Sequence, residues 1–228
     1  MPAYNAAGVI GDTVTSLRRA LAAVFGADAV EVVVVDDGSH DGTADVARQA
    51  GADTVIWFPA NRGKGAAVRA GMLQSTGTTV VFTDADLSYP PDQVLRVVAA
   101  VEDGADVAIG SRTHAGARDG IPATALRQLS GRLFNVLTFP VVHGRYRDTQ
   151  CGLKAFQRDV AHRLAGASRI DGFAFDVELL HLAERDGLVV REVPAEVRTS
   201  GASSVNLMLH VPQMVRDLAL IWWRDRKH

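Results

Sequence analysis

Val30-Glu31-Val32-Val33-Val34-Val35-Asp36-Asp37-Gly38-Ser39 is the stretch on which the fold turns. Its valines are apolar on both faces, as a strand of a parallel sheet covered by helices on each side must be; a half-exposed strand would alternate. The run ends in two carboxylates and a glycine turn, at the carboxyl edge where open α/β sheets bind ligands. Outward from it, Gly42–Ala50 reads as helix, Thr54–Phe58 as strand, Gly65–Ser75 as helix and Thr79–Thr83 as strand. Pro90 and Pro91 open another helix, with Val94, Leu95, Val97, Val98 and Val101 on its apolar face, and Val107–Ile109 is a further strand. The expected fold class is α/β, a mostly parallel sheet flanked by helices.

The 228 residues are 47% hydrophobic and 22% charged, with 21 Gly and 8 Pro, which excludes a disordered, collagen-like or coiled-coil chain. One domain, 1–228, is expected. The single cysteine, Cys151, rules out an intrachain disulfide and a cysteine-rich zinc site, and fits a reducing compartment. No signal-peptide pattern opens the chain, and no apolar run approaches the ~20 residues that span a bilayer. A cytoplasmic protein follows, with the inner face of the membrane as an alternative address.

A net charge of −2 conceals an uneven distribution: residues 1–111 hold 7 Lys/Arg against 14 Asp/Glu, whereas residues 112–169 hold 10 against 3. A basic block can mean nucleic acid, but this one carries few aromatics and adjoins an acidic half, so a small anionic ligand or a lipid headgroup explains it equally well, and no nucleic-acid partner is expected. Beyond Gly110 the texture changes. Thr113–Gly120 reads as a loop, Leu126–Phe139 as an amphipathic segment, Phe175–Arg185 as helix, Leu188–Val197 as strand and Thr199–Ser204 as loop. A final helix runs from about Pro212 to Trp223. Its end, Trp222-Trp223-Arg224-Asp225-Arg226-Lys227, suits either a membrane-interface helix or a core-packed helix with a solvated basic tail.

Thr83-Asp84-Ala85-Asp86 follows an apolar strand and so joins Asp36 and Asp37 at one sheet edge. Four carboxylates there repel one another without a cation. Hard oxygen ligands suit Mg²⁺ or Mn²⁺, which take one or two protein carboxylates and complete their shell with phosphate and water. The loop Asn61-Arg62-Gly63-Lys64-Gly65 suits approach to a phosphate but lacks P-loop or Rossmann spacing. Asp41-Gly42-Thr43 also serves simply to start a helix.

Taken in order, these pieces resemble the family 2 glycosyltransferases of the GT-A fold, and within them the polyprenyl-phosphate sugar transferases of the dolichyl-phosphate glucosyltransferase branch. The resemblance rests on Pro2-Ala3-Tyr4-Asn5, Val35-Asp36-Asp37-Gly38-Ser39-His40-Asp41-Gly42-Thr43, Asn61-Arg62-Gly63-Lys64-Gly65 and Thr83-Asp84-Ala85-Asp86-Leu87-Ser88. It continues through Gly110-Ser111-Arg112, Asp148-Thr149-Gln150-Cys151-Gly152-Leu153-Lys154-Ala155-Phe156 and Phe175-Asp176-Val177-Glu178-Leu179-Leu180.

It implies a nucleotide-sugar-binding half, 1–111, and an acceptor half, 112–228, with a C-terminal amphipathic helix. Asp36, Asp37 and Lys64 would face the nucleotide, with Pro2, Tyr4 and Ser39 among the substrate-binding residues. Asp84 and Asp86 would hold ribose and metal-bound diphosphate, and Arg112 an acceptor or leaving-group phosphate. Arg127 and Arg132 would add to that anionic site or form a solvated helix face. Gln150, Lys154, Asp176 and Glu178 fall on the acceptor side, with Asp86, Arg112, Asp176 and Glu178 in the catalytic roles; Glu178 equally suits a helix residue that braces a loop.

The implied reaction is a single inverting displacement from a nucleotide sugar, UDP-glucose favoured, to polyprenyl phosphate. Transfer to a hydroxyl and a nucleotide-sugar-binding module without turnover are the alternatives. Three departures stand out. The strand that normally precedes Pro-x-Tyr-Asn is absent, Ala6 replaces an acidic residue, and Ser203-Ser204-Val205 stands where a Ser-Lys pair is common. The absent strand belongs mid-sheet, between the strands ending near Asp36 and Asp84, so a chain extended upstream is expected to be more stable.

Overall fold

The valine run forms β2 (Val33–Asp36), every residue of which is buried. In this computed structural model, residues 1–113, 138, 141–142, 146–197 and 207–225 are described. Beside β2 lies β1 (Pro2–Ala3), parallel, with Pro2 opposite Val35 and Ala3 opposite Asp36; on its other side lies β3 (Thr54–Trp57), also parallel. The slot expected to lack a strand is thus partly filled, by two residues plus Met1, whose carbonyl accepts from Val35 N–H. Among the described residues no ladder joins this sheet to the second one.

The second sheet has the order β4 (Thr79–Thr83), β6 (Leu153–Gln157), β5 (Val107–Ser111), β7 (Val190–Pro194). β6 runs antiparallel to both its neighbours, whereas β5 and β7 are parallel. A strand from the second half of the sequence therefore separates two from the first half. Among the described residues the helices with full ranges are α1 (Ala7–Phe25), α2 (Thr43–Gln49), α3 (Lys64–Gln74), α4 (Pro91–Glu102), α5 (Arg158–Ala167), α6 (Phe175–Arg185) and α7 (Leu207–Asp225). The readings of Leu126–Phe139 as amphipathic and Thr199–Ser204 as loop lie almost wholly or wholly outside the described residues, as do Arg127 and Arg132.

Local chemistry accounts for the helix starts. Pro91 opens α4, where a missing N–H costs nothing. Asp41 takes Thr43 N–H at 3.1 Å ahead of α2 and Ala7 N–H at 3.0 Å at the start of α1, so one carboxylate fixes two helix entries. Phe82 of β4 stacks on Phe156 of β6 at 6.3 Å and meets Phe175 of α6 at 5.6 Å, tying the sheet to the helix that carries Asp176.

Candidate active site

At the carboxyl end of β2, buried acids meet backbone donors. Asp36 takes Ser39 N–H at 2.9 Å. Asp37 takes Arg62 N–H at 2.7 Å and Gly63 N–H at 2.9 Å. Burial pushes the Asp37 carboxyl up despite those donors. Gly38 is required here: at φ +78° a Cβ would lie 2.5 Å from the Ala60 and Asn61 backbone. The two loops thus touch, and the Asn61–Gly65 loop is held in place. Ser39 Oγ accepts Asn5 N–H at 2.8 Å, joining the Pro2–Asn5 segment to the same edge. Pro2 is half-buried there and Tyr4 exposed.

From that loop Lys64 reaches Asp84, Nζ to Oδ1 at 2.6 Å. Burial pulls the Lys64 ammonium down, but Asp84, Asp176 and Asp86 outweigh it and its pKa is raised. The other Asp84 oxygen lies against Gly152, where a Cβ would come within 2.0 Å of Oδ2. Asp86 accepts Ser88 N–H at 3.0 Å through Oδ1, and the next residue, Leu87, is held at φ 53°, an uncommon conformation for a branched side chain. Deeper in, the wholly buried Lys154 ammonium bonds Asp176 Oδ1 and the Cys151 carbonyl, with the Phe82 ring 5.2 Å away. Burial raises the Asp176 pKa even against Lys154 and Lys64. Lys154, Asp176, Lys64 and Asp84 therefore form a row of alternating charge, and the mutual repulsion expected of the acids is relieved by these ammonium groups and by backbone N–H groups.

The family 2 glycosyl transferase profile matches residues 1–164. The chain belongs to this family. It is 38% identical over 209 residues to the dolichyl-phosphate beta-glucosyltransferase of Drosophila melanogaster, covering 85% of this chain and 63% of that protein. It is 31% identical over 242 residues to the Saccharomyces cerevisiae protein of the same name, covering 97% of this chain and 72% of that one. The chain thus spans somewhat under two-thirds of the Drosophila relative. Its fold is GT-A. Glucosyl-3-phosphoglycerate synthase of Mycobacterium tuberculosis, solved with Mn²⁺, uridine-diphosphate-glucose and glycerol 3-phosphate, superposes with a TM-score of 0.70 at 22% identity, covering 96% of this chain and 76% of that one.

Within this family 2 glycosyltransferase not every candidate joins the cluster. Arg112 forks onto the buried Asp148, Nε to Oδ2 at 2.7 Å and Nη2 to Oδ1 at 2.8 Å. Its side chain remains 44% exposed. Glu178 is turned away: Oε2 accepts Ser168 Oγ–H at 2.7 Å, Arg169 N–H at 2.9 Å and Ile170 N–H at 2.8 Å. It braces the loop after α5, the second of the two roles its place in the sequence allowed. Lys154 is wholly buried, with its ammonium bonded to Asp176 and the Cys151 carbonyl. Gln150 is half-buried in the turn before Cys151. Gly152, against Asp84, and Asp148, under Arg112, are the contacts that residue-type reasoning passed over; their only sequence signal is membership of the Asp148–Phe156 block.

Glu178→Ala is expected to cost about 1–3 kcal/mol in a denaturant titration, by leaving buried donors unsatisfied, with turnover per folded molecule unchanged. A turnover loss beyond tenfold in the folded variant would return Glu178 to the catalytic group.

Proposed function

We propose that this chain transfers a hexose, glucose from UDP-glucose, to a polyprenyl phosphate such as dolichyl phosphate, with inversion to a β-linked product. The alternating row Lys154, Asp176, Lys64, Asp84 beside Asp86 carries the reading, because it sets cations and carboxylates of fixed position where a nucleoside diphosphate must leave. The names of the relatives point to the acceptor, and the contents of the Mycobacterium tuberculosis structure to the donor.

Among the described residues no group of three or more His, Cys, Asp or Glu is placed to hold a metal by itself. Two carboxylates nonetheless fit Mg²⁺ or Mn²⁺, which fill their remaining positions with phosphate and water, and Asp84 and Asp86, the latter with Oδ1 on Ser88 N–H, would be the protein ligands. Either ion would offset negative charge gathering on the diphosphate. Asp36 and Asp37 shape the nucleotide end. Lys64, released from Asp84, can follow the leaving phosphates. Asp176, clamped by Lys154, keeps a carboxylate behind them. A phosphate acceptor is already anionic near neutral pH, so no general base is required of these residues; a hydroxyl acceptor would make Asp176 the candidate base. Donor hydrolysis and transfer across a panel of nucleotide sugars, with and without polyprenyl phosphate, tests this: UDP-glucose consumption should rise with the lipid. Equal consumption without it would reject the acceptor.

Arg112 separates binding from folding. Burial pushes Asp148 up, but Arg112 more than reverses this and holds it below the usual carboxylate range. The pair's stabilisation is present above a pH of about 3.9 and is lost as pH falls further. Arg112→Ala should therefore cost about 1–3 kcal/mol near neutral pH, discounted for the exposed guanidinium, with the gap closing in acid. It should also raise the KM for polyprenyl phosphate more than that for UDP-glucose. Equal KM changes would confine Arg112 to the ion pair.

No described helix is long and apolar enough to cross a membrane. α7 buries Met214, Leu218 and Ile221 but exposes Val215, Trp222 and Trp223. Its outer face suits the surface of a bilayer holding the lipid acceptor.

A further inference from the structure

Away from the sheet edge, α6, α7 and the end of α5 enclose a cleft of about 370 Å³ lined by Ala167, Arg169, His181, Leu182, Arg185 and Arg224, with Glu178 and Ile221 completing it. Three guanidinium groups meet one carboxylate there, and most of that carboxylate is already spent. Glu178 Oε2 takes three donors from residues 168–170, and Oε1 has Arg224 only at 3.7 Å. Arg169 commits Nη1 alone, to the Gly166 and Ser168 carbonyls. Arg185 makes long contacts of 3.2–3.3 Å with its neighbour Asp186. Arg185 and Arg224 are each 45% exposed. The rim is thus a set of cations with donors to spare, over apolar atoms of Ala167, Leu182 and Ile221.

We infer that this cleft binds the phosphate headgroup of an acidic glycerophospholipid, fixing how the enzyme lies on its membrane. Guanidinium groups grip phosphate oxygens in paired hydrogen bonds. The apolar floor suits the glycerol and first acyl carbons, which free phosphate lacks. Trp222 and Trp223 lie on α7 next to Ile221 and Arg224 of the cleft, and expose 40% and 51% of their surface, the arrangement of side chains that enter the headgroup layer. Each cation near an anionic leaflet adds attraction that falls with salt. The inference rests on α7 lying at the bilayer surface, but the cleft itself is separate from the transfer site.

The test uses the full chain and dihexanoyl phosphatidylglycerol below its micelle concentration, followed by calorimetry and by protein NMR shifts, so that binding needs no membrane. The double variant Arg185→Gln/Arg224→Gln should bind this lipid about tenfold more weakly, while Arg96→Gln, an exposed arginine elsewhere, should match the wild type. Inorganic phosphate should compete poorly. Trp222→Ser/Trp223→Ser should keep short-chain binding yet lose sedimentation with phosphatidylcholine vesicles containing phosphatidylglycerol. Unchanged affinity in the arginine variant, or displacement by equimolar phosphate, would overturn the cleft assignment. Failure of the wild type to sediment with the vesicles, with short-chain binding intact, would instead overturn the surface placement of α7. Turnover of UDP-glucose with detergent-dispersed acceptor is the separate readout for the proposed reaction, and the arginine variant should retain it.

Discussion

Asp86→Asn is expected to lower turnover by about three orders of magnitude, roughly 4 kcal/mol of lost transition-state stabilisation, with the melting temperature unchanged. Asparagine is the informative replacement because its amide oxygen can still accept Ser88 N–H, the bond that holds the turn before Leu87 in its left-handed conformation. What disappears is the negative charge available to a divalent ion. Chelation of the wild type by EDTA should reproduce the loss, and Mn²⁺ or Mg²⁺ should restore it. Full activity of the folded Asp86→Asn protein would remove Asp86 from the mechanism.

Gly152→Ala should be nearly as damaging, by a route that no change of charge would reveal. A Cβ at this position would come within 2.0 Å of Asp84 Oδ2. That atom is the end of a flexible side chain, so the carboxylate moves and the backbone need not. The fold should survive with a shift of no more than about 2–4 °C in Tm. Displacing Asp84 breaks its 2.6 Å contact with Lys64, and kcat/KM for the nucleotide sugar should fall by about a hundredfold, the scale of a 1 Å misplacement in a positioned site. Gly65→Ala is the contrast: its Cβ would lie 2.4 Å from the Ile170 carbonyl, in backbone that cannot yield cheaply, so that variant should lose stability itself. Gly166→Ala, with nothing within 4 Å of its Cβ, controls for the substitution alone.

The parts legible in the sequence are those where neighbours in the chain are also neighbours in space. The valines of β2 announce a doubly covered strand, the acids at its end mark the ligand edge, and Asp41-Gly42-Thr43 declares a helix start that the structure contains. β6 is different. Leu153-Lys154-Ala155-Phe156-Gln157 is pure strand, yet it places a lysine where an apolar residue is expected, and only its burial beside Asp176, 22 residues further on, explains that charge. Arg112 and Asp148 are likewise 36 residues apart, so no local pattern signals that they bond. Glu178 and Asp176 share one helix and one motif. Two residues of separation turn one toward the charge row and the other toward the loop after α5, a divergence that helical geometry permits but motif matching does not resolve.

The most direct measurement follows isotope from UDP-glucose labelled in the sugar, mixed with the purified chain, Mn²⁺ or Mg²⁺ and dolichyl phosphate, into the organic phase. The account predicts lipid-bound label whose glucose is β-linked to phosphate, formed by the wild type and absent with EDTA or Asp86→Asn. Label that remains in water as free glucose, or that reaches only hydroxyl acceptors, would contradict it.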